Sequence, residues 1–453
     1  MLHQSSDGPH SPKSPLKKPL SRRSYSRTLA KLSILALVSI FLVAYGRGLI
    51  WLKADTPALD PQEVNILQSL CNLRPDNPRI HEDNSIDTLQ ELIKPIHLLP
   101  EVSPDTTIPA DTWKDLPTKG VLYMIVQNSK LYSAREAIRS IEDRFNHKYH
   151  YPWVLLNSQH FTADFRKYAS MATKAPIYFG KIDPDTWSYP PFIDVARAER
   201  NMGVLGGTNL YKGGSLSFRQ EARYHAGLFF HHTLFQNVDY VWRVESDSQY
   251  TCDLVDFDPF KEMKENNRTI GFALTSKDVP RAILGLWKVT RAFIDDYAQT
   301  VVSPDESIMP WIVDRRGEYN TCHMVSSFEV VDLAFYRSPS YQRYFEYLDR
   351  SGGFFYGRWG DGPVKSIAAA MFLKRDQIQY FKNVGYSHGM FSHCPFQENY
   401  SEHCSCSLDE TFDFKDNSCT VDLLNLVNRT IIHEMADYAK LVVDKNTSIK
   451  KRL

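Results

Sequence analysis

The sequence predicts an α/β protein whose ligands bind beyond the carboxyl ends of its strands. Two apolar runs, residues 121–126 and 151–157, have the length of buried strands. Between them, residues 133–136 have the pattern of a helix capping box, and apolar residues then recur at helical spacing. Strand, helix and strand in this order predict a βαβ unit. Gln127 and Asn128 follow its first strand and are candidate ligand contacts. The alternative is that they are ordinary loop residues without a ligand.

An aromatic segment, residues 218–235, predicts a long helix because apolar residues recur along one face. On this helix Arg219, Arg223 and Tyr224 are candidate contacts to a charged ligand, since guanidinium groups form strong hydrogen bonds with phosphate. An ordinary solvated helix face accounts for the same residues. The assignment of a ligand-binding role therefore depends on where the fold places these side chains.

The next predicted strand, "YVWRV", is followed by two carboxylates, Glu245 and Asp247. Two interpretations are open at this point. The carboxylates can bind a metal ion next to a charged ligand, because hard divalent ions favour carboxylate oxygens. Alternatively, they are polar residues of an ordinary turn at the end of a strand, which is the interpretation that the local sequence favours.

The N-terminal part predicts a single-pass membrane anchor. Residues 1–31 are rich in Ser, Pro, Lys and Arg, and residues 32–52 are mainly apolar over about the 20 residues needed to cross a bilayer. A cleaved signal peptide and a buried helix are the alternatives, but no small-residue cleavage site follows the segment. The basic tail is expected on the cytosolic side. We expect residues 53–114 to form a stem and residues 115–453 to form a lumenal domain.

The cysteines and the glycosylation sequons agree with a lumenal location. The chain has seven cysteines, and disulfides form in an oxidising compartment. One group of residues also suggests zinc, namely Cys394, His403, Cys404, Cys406 and Cys419. Its spacing fits no paired zinc motif, so disulfides are the favoured interpretation. Candidate glycosylation sites are Asn267, Asn399, Asn428 and Asn446.

Several longer motifs carry more specific information, among them "YVWRVESDSQYTCDLVDFDPF", "SGGFFYGRWGDGPVKSIA" and "GYSHGMFSHCP". Together they resemble the fungal Golgi α-1,2-mannosyltransferases of glycosyltransferase family fifteen, over nearly all of residues 119–406. The resemblance implies a GT-A-type mixed sheet flanked by helices, on a type II Golgi membrane protein with a lumenal catalytic domain. It also implies a retaining, manganese-dependent enzyme that transfers mannose from GDP-mannose to mannose-terminated glycans of glycoproteins.

The resemblance also implies roles for individual residues. Glu245 falls on the acidic metal position and His388 on the histidine that completes the manganese site, which leaves Asp247 as a secondary metal candidate. Glu329 matches the carboxylate that faces the anomeric carbon, where it can act as a nucleophile or support same-face attack. Asp361 matches a further active-site acid, and either Asp361 or the leaving phosphate can accept the proton of the acceptor hydroxyl.

Departures from the family pattern keep a second function class open. Gln127, Ser246 and Val325 differ from the residues usual in the family at these positions. The alternatives are a lumenal protein that binds glycan or partner enzymes without transfer, and an enzyme with another acceptor or a phosphosugar product.

The balanced charge of the chain gives no indication of nucleic-acid binding.

Overall fold

A computed structural model describes residues 107–435 of the chain. The predicted cytosolic tail, the predicted anchor at 32–52 and most of the predicted stem lie outside the described residues, as does Cys71. Among the described residues, none of the helices is both long enough and apolar enough to cross a membrane.

A seven-stranded mixed sheet forms the centre of the described region. The strands of the whole region are β1 (Gly120–Ile125), β2 (Trp153–Asn157), β3 (Ile177–Lys181), β4 (Tyr240–Arg243), β5 (Gln249–Tyr250), β6 (Ile270–Phe272), β7 (Thr275–Lys277), β8 (Cys322–Met324), β9 (Glu329–Asp332), β10 (Ile378–Tyr380), β11 (Tyr386–His388) and β12 (Phe391–His393). The central sheet has the order β10-β6-β9-β4-β1-β2-β3. In this sheet β9 is antiparallel to both neighbours, β4 and β6, whereas the other pairings are parallel.

Helices cover both faces of the central sheet. Those of seven or more residues are α1 (Leu131–Ile141), α2 (Ala163–Ser170), α3 (Val195–Gly207), α4 (Leu216–Gly227), α5 (Pro259–Glu265), α6 (Leu286–Asp296), α7 (Pro339–Arg350), α8 (Asp361–Phe372) and α9 (Thr420–Val427). Alternate residues of a strand point to opposite faces. In β1, Val121 and Tyr123 therefore join the core beneath α4, α7 and α8, and Leu122 and Met124 join the core beneath α1, α2 and α5.

The predicted βαβ unit is present, but its helix begins at a different residue from the one predicted. The capping-box prediction is wrong: α1 begins at Leu131, so Ser133 lies inside the helix and its hydroxyl donates to the carbonyl of Lys130 at 3.1 Å. Two residues of the predicted stem at 53–114 pack with the domain. Ile108 and Trp113 belong to the core, and the Trp113 indole donates to the carbonyl of Gly120 at 2.9 Å.

The predicted helix over 218–235 is shorter than expected. Helix α4 ends at Gly227, and two 3₁₀ turns, Phe229–His231 and Thr233–Phe235, replace the remainder. At Gly227 an added Cβ would lie 2.3 Å from the ring of Phe345 in α7. The close approach of α7 therefore favours glycine at the end of α4, which the periodicity of the sequence does not indicate.

Three disulfides join the described cysteines, which confirms the disulfide interpretation over zinc. The pairs are Cys252–Cys404, Cys322–Cys419 and Cys394–Cys406. Each pair ties the segment after β12 to itself or to an earlier part of the chain. A small antiparallel sheet of order β12-β11-β5 lies next to the first pair in sequence and carries part of the site described below.

Candidate active site

A buried arginine at the end of β4 organises a cluster of acids. Arg243 is the last residue of an otherwise apolar, buried strand, so its charge requires partners. One terminal nitrogen lies 2.6 Å from Oδ2 of Asp361 at the start of α8, and the other lies 2.6 Å from Oε1 of Glu245. Through these contacts, Arg243 fixes two of the predicted site residues.

Glu329 lies beside Arg243 because the two residues pair across β4 and β9. Both of its carboxylate oxygens are engaged: the Tyr336 hydroxyl donates to Oε1, and Nζ of Lys365 lies 2.7 Å from Oε2. Lys365 also lies 3.3 Å from Oδ2 of Asp361, one helical turn earlier in α8. Lys365 thus links the two acids that the sequence assigned to catalysis.

The ion pairs decide the protonation state of Asp361. Burial alone raises the pKa of a carboxyl group, but Arg243 and Lys365 outweigh it and hold the pKa of Asp361 well below its ordinary value. Asp361 is therefore ionised near neutral pH and is a weak base. This geometry argues against the suggestion that Asp361 accepts the acceptor's proton, because a general base is most effective with a pKa near the working pH.

His388, at the end of β11 in the small sheet, contacts Asp247 in the turn before β5. Strand β11 pairs with β5, and Nε2 of His388 lies 2.9 Å from Oδ1 of Asp247. The Asp247 side chain is 63% exposed and that of His388 is 28% exposed, so both remain accessible to a ligand. The sequence paired His388 mainly with Glu245. In the structure its direct partner is Asp247, while Glu245 contacts Arg243.

A further acid and histidine, both missed by the sequence analysis, face Glu245 from α4. Glu221 and His225 lie one helical turn apart, and each offers a ligand atom within 4.8 Å of the others and of a Glu245 oxygen. Burial, together with the charge of Glu245, raises the pKa of Glu221 to about 7. Burial lowers the pKa of His225, so the imidazole is neutral at physiological pH.

The three predicted contacts on α4 are buried, and both arginines bond to other groups of the protein. Arg223 forms a buried, two-pronged ion pair with Asp349 of α7, at 2.7 and 2.8 Å. Arg219 is buried and donates to the carbonyls of Gly357 and Ser215. Tyr224 is buried in the core as well. Arg223 therefore holds α4 against α7, whereas one terminal nitrogen of Arg219 has no hydrogen-bond partner among the described residues, so Arg219 stays a candidate contact to a charged ligand.

Gln127 and Asn128 differ in what they can do. Gln127 is exposed just beyond β1. Asn128 bridges to the loop after β2, donating to the carbonyl of His160 at 2.9 Å and accepting from the Thr162 amide at 3.0 Å. Gln127 therefore remains free to contact a ligand, whereas the side chain of Asn128 positions a loop.

The mixed sheet flanked by helices is the fold of GT-A-like glycosyltransferases. The family model described as glycolipid 2-alpha-mannosyltransferase matches residues 81–428. The chain belongs to this family, which confirms the family predicted from the sequence.

Curated relatives agree with this assignment. Glycolipid 2-alpha-mannosyltransferase 2 of Candida albicans is 40% identical over 312 residues, which cover 68% of this chain and 67% of the relative. Alpha-1,2 mannosyltransferase KTR1 of Saccharomyces cerevisiae is 38% identical over 311 residues, which cover 68% of this chain and 78% of the relative.

Two solved structures share the fold. Core-mannan synthase A of Aspergillus fumigatus, in its Mn/GDP form, is 30% identical with a TM-score of 0.65, over 73% of this chain and 91% of that one. The mannosyltransferase Ktr4p of Saccharomyces cerevisiae, in complex with GDP, is 28% identical with a TM-score of 0.66, over 80% of this chain and 97% of that one.

Proposed function

We propose that the chain transfers mannose from GDP-mannose, with retention of configuration, to mannose-terminated glycans of glycoproteins through an α-1,2 linkage. The observation that carries the proposal is the acidic cluster at the end of β4, in a chain of a mannosyltransferase family. The manganese and GDP in the related solved structures support the same donor chemistry.

The residues beyond β4 fit a manganese ion. Asp247 and His388 offer a carboxylate and an imidazole that already lie 2.9 Å apart and are partly exposed, and Glu245 is two residues away. Mn²⁺ accepts both ligand types. When bound, the ion neutralises the charge that develops on the diphosphate leaving group. Gln127, exposed at the neighbouring strand end, is the predicted contact to the donor.

Glu329 supports the developing positive charge of the sugar rather than forming a covalent bond to it. Its two oxygens are bound by Tyr336 and Lys365, and pairing with an ammonium group reduces the nucleophilicity of a carboxylate. The anomeric carbon becomes electron-poor as the leaving group departs, and a fixed carboxylate stabilises that charge. This role favours same-face attack of the acceptor hydroxyl.

The proposed location is the Golgi membrane, with the anchor at 32–52 and the catalytic domain in the lumen. The three disulfides agree with an oxidising compartment. The positive tail before the apolar segment supports the orientation.

The test is a transfer assay with the full-length chain in mild detergent, GDP-mannose, Mn²⁺ and methyl α-mannoside. We expect GDP release together with a disaccharide whose linkage is read by NMR, and no product when EDTA replaces Mn²⁺. Manganese-dependent GDP binding without a product from any mannoside acceptor would instead support the alternative of a binding protein. Absence of both activities would refute the proposed site.

A further inference from the structure

A second group of residues of the types that bind metal ions lies between α4 and the end of β4. It is distinct from the Asp247–His388 pair. Glu221, His225 and Glu245 place one carboxylate oxygen or ring nitrogen each within 4.8 Å of the other two. Glu221 and His225 stand four residues apart on α4, so their side chains lie on one face of the helix. Helical i, i+4 spacing of this kind is a common arrangement for two ligands of one ion.

His225 lacks a hydrogen-bond partner, although it is buried. The residue is 1% exposed, and neither ring nitrogen has a partner within the described region. Oε1 of Glu221 lies 3.9 Å from Nε2, which is beyond hydrogen-bond distance. An unpaired buried polar group costs about 1–3 kcal/mol. Its imidazole has a ring nitrogen within 4.8 Å of an oxygen of each of two carboxylates, and imidazole nitrogen is a ligand that transition metal ions accept.

The charges around the cluster are also unbalanced. Four carboxylates, those of Glu221, Glu245, Glu329 and Asp361, surround two buried cations, Arg243 and Lys365. Arg243 contacts Glu245 and Asp361, and Lys365 contacts Glu329 and Asp361. No buried cation forms an ion pair with Glu221 among the described contacts, so a divalent ion between Glu221 and Glu245 would stabilise the ionised form of Glu221 and balance its charge.

We propose that Glu221, His225 and Glu245 bind a divalent first-row transition ion, such as Mn²⁺ or Zn²⁺, in addition to the ion held near Asp247 and His388. The inference deepens the proposed function, since Glu245 adjoins both sites. One imidazole and two carboxylates suit these ions. Because both sites have ligands from the protein, we expect both ions to bind without GDP.

The test counts bound Mn²⁺ by EPR with the metal-depleted full-length chain and no nucleotide. We expect two ions per chain for the parent, and one each for His225→Gln, Glu221→Gln and His388→Gln. Exposed His403 and Glu402 supply the matched controls, His403→Gln and Glu402→Gln, which should retain both ions. Co²⁺ absorption adds a second measurement, because loss of the imidazole ligand in His225→Gln should change the visible bands.

The outcomes separate the two proposals. If His225→Gln binds as many Mn²⁺ ions as the parent and leaves the Co²⁺ spectrum unchanged, the site on α4 is overturned. If only His388→Gln binds as many ions as the parent, the site on α4 stands and the catalytic metal site fails. Thermal melting of each metal-free variant checks that a lost ion does not reflect unfolding.

Discussion

Lys365 is the residue that joins the two acids assigned to catalysis. It is buried in α8, where the surrounding residues are apolar, and its ammonium group lies 2.7 Å from Glu329 and 3.3 Å from Asp361. Removing one partner of a buried ion pair leaves an uncompensated charge, which costs more than the pair itself contributes. The position and charge of Glu329 therefore depend on Lys365.

Replacing this cation tests the role of Glu329 directly. For Lys365→Met we expect kcat to fall by roughly 10²-fold, the loss typical of a removed electrostatic contact. The KM for GDP-mannose should change less, because Lys365 contacts neither Asp247 nor His388. Lys374→Met is the matched control, since Lys374 forms an exposed ion pair with Glu306. An unchanged kcat in folded Lys365→Met would contradict the role given to Glu329.

The depressed pKa of Asp361 predicts a pH dependence of stability. Its ion pairs with Arg243 and Lys365 stabilise the ionised form of Asp361. Their contribution to the free energy of unfolding is complete above the ordinary pKa of 3.8, and it is lost as the pH falls through the lower pKa of the folded protein. Urea unfolding should show parent and Asp361→Asn differing by about 3 kcal/mol near neutral pH. The difference should shrink in acid. A difference that stays constant between neutral and acidic pH would contradict the role given to these ion pairs. Asp409 is exposed, so the control variant Asp409→Asn should unfold with the same free energy as the parent.

At the scale of the element, the close packing of α4 against α7 gives a prediction about two glycines. A Cβ at Gly227 would lie 2.3 Å from the ring of Phe345, whereas one at Gly203 in α3 would meet open space. Gly227→Ala should lower the free energy of unfolding by about 1–3 kcal/mol through overpacking. Gly203→Ala, the control, should raise it by about 0.5–1 kcal/mol through helix propensity. Equal effects in thermal or urea unfolding would refute the packing argument.

Most elements could be predicted from the sequence because their signals are local. The spacing of apolar residues predicts strands β1 and β2 and helix α1, whereas the end of α4 depends on a contact with another helix.

The site was predicted only in part. Arg243 in an apolar strand and Lys365 in an apolar helix are visible signals, since a buried cation requires a partner. The identity of that partner was not visible, because Arg243 and Asp361 are 118 residues apart.

At the scale of the whole molecule, two of the three disulfides restrain different elements around the site. Cys252–Cys404 follows β5 directly, and β5 pairs with the strand that ends in His388. Cys322–Cys419 joins β8 to the start of α9. The first therefore restrains the segment that carries the Asp247–His388 pair, whereas the second restrains α9 and strand β8, whose Met324 amide donates to the Ser366 hydroxyl of α8.

This difference predicts different effects of removing each disulfide. Cys252→Ser/Cys404→Ser should weaken Mn²⁺-dependent GDP binding by about tenfold, since the strand carrying His388 loses its restraint. Cys322→Ser/Cys419→Ser should lower the free energy of unfolding by about 2–4 kcal/mol, as long disulfide loops do, and leave GDP affinity nearly unchanged. Calorimetric titration below the melting temperature of each variant measures the affinity. Equal losses of affinity in both variants would mean that the disulfides act through global stability, and that the flanking sheet does not position the metal ligands independently.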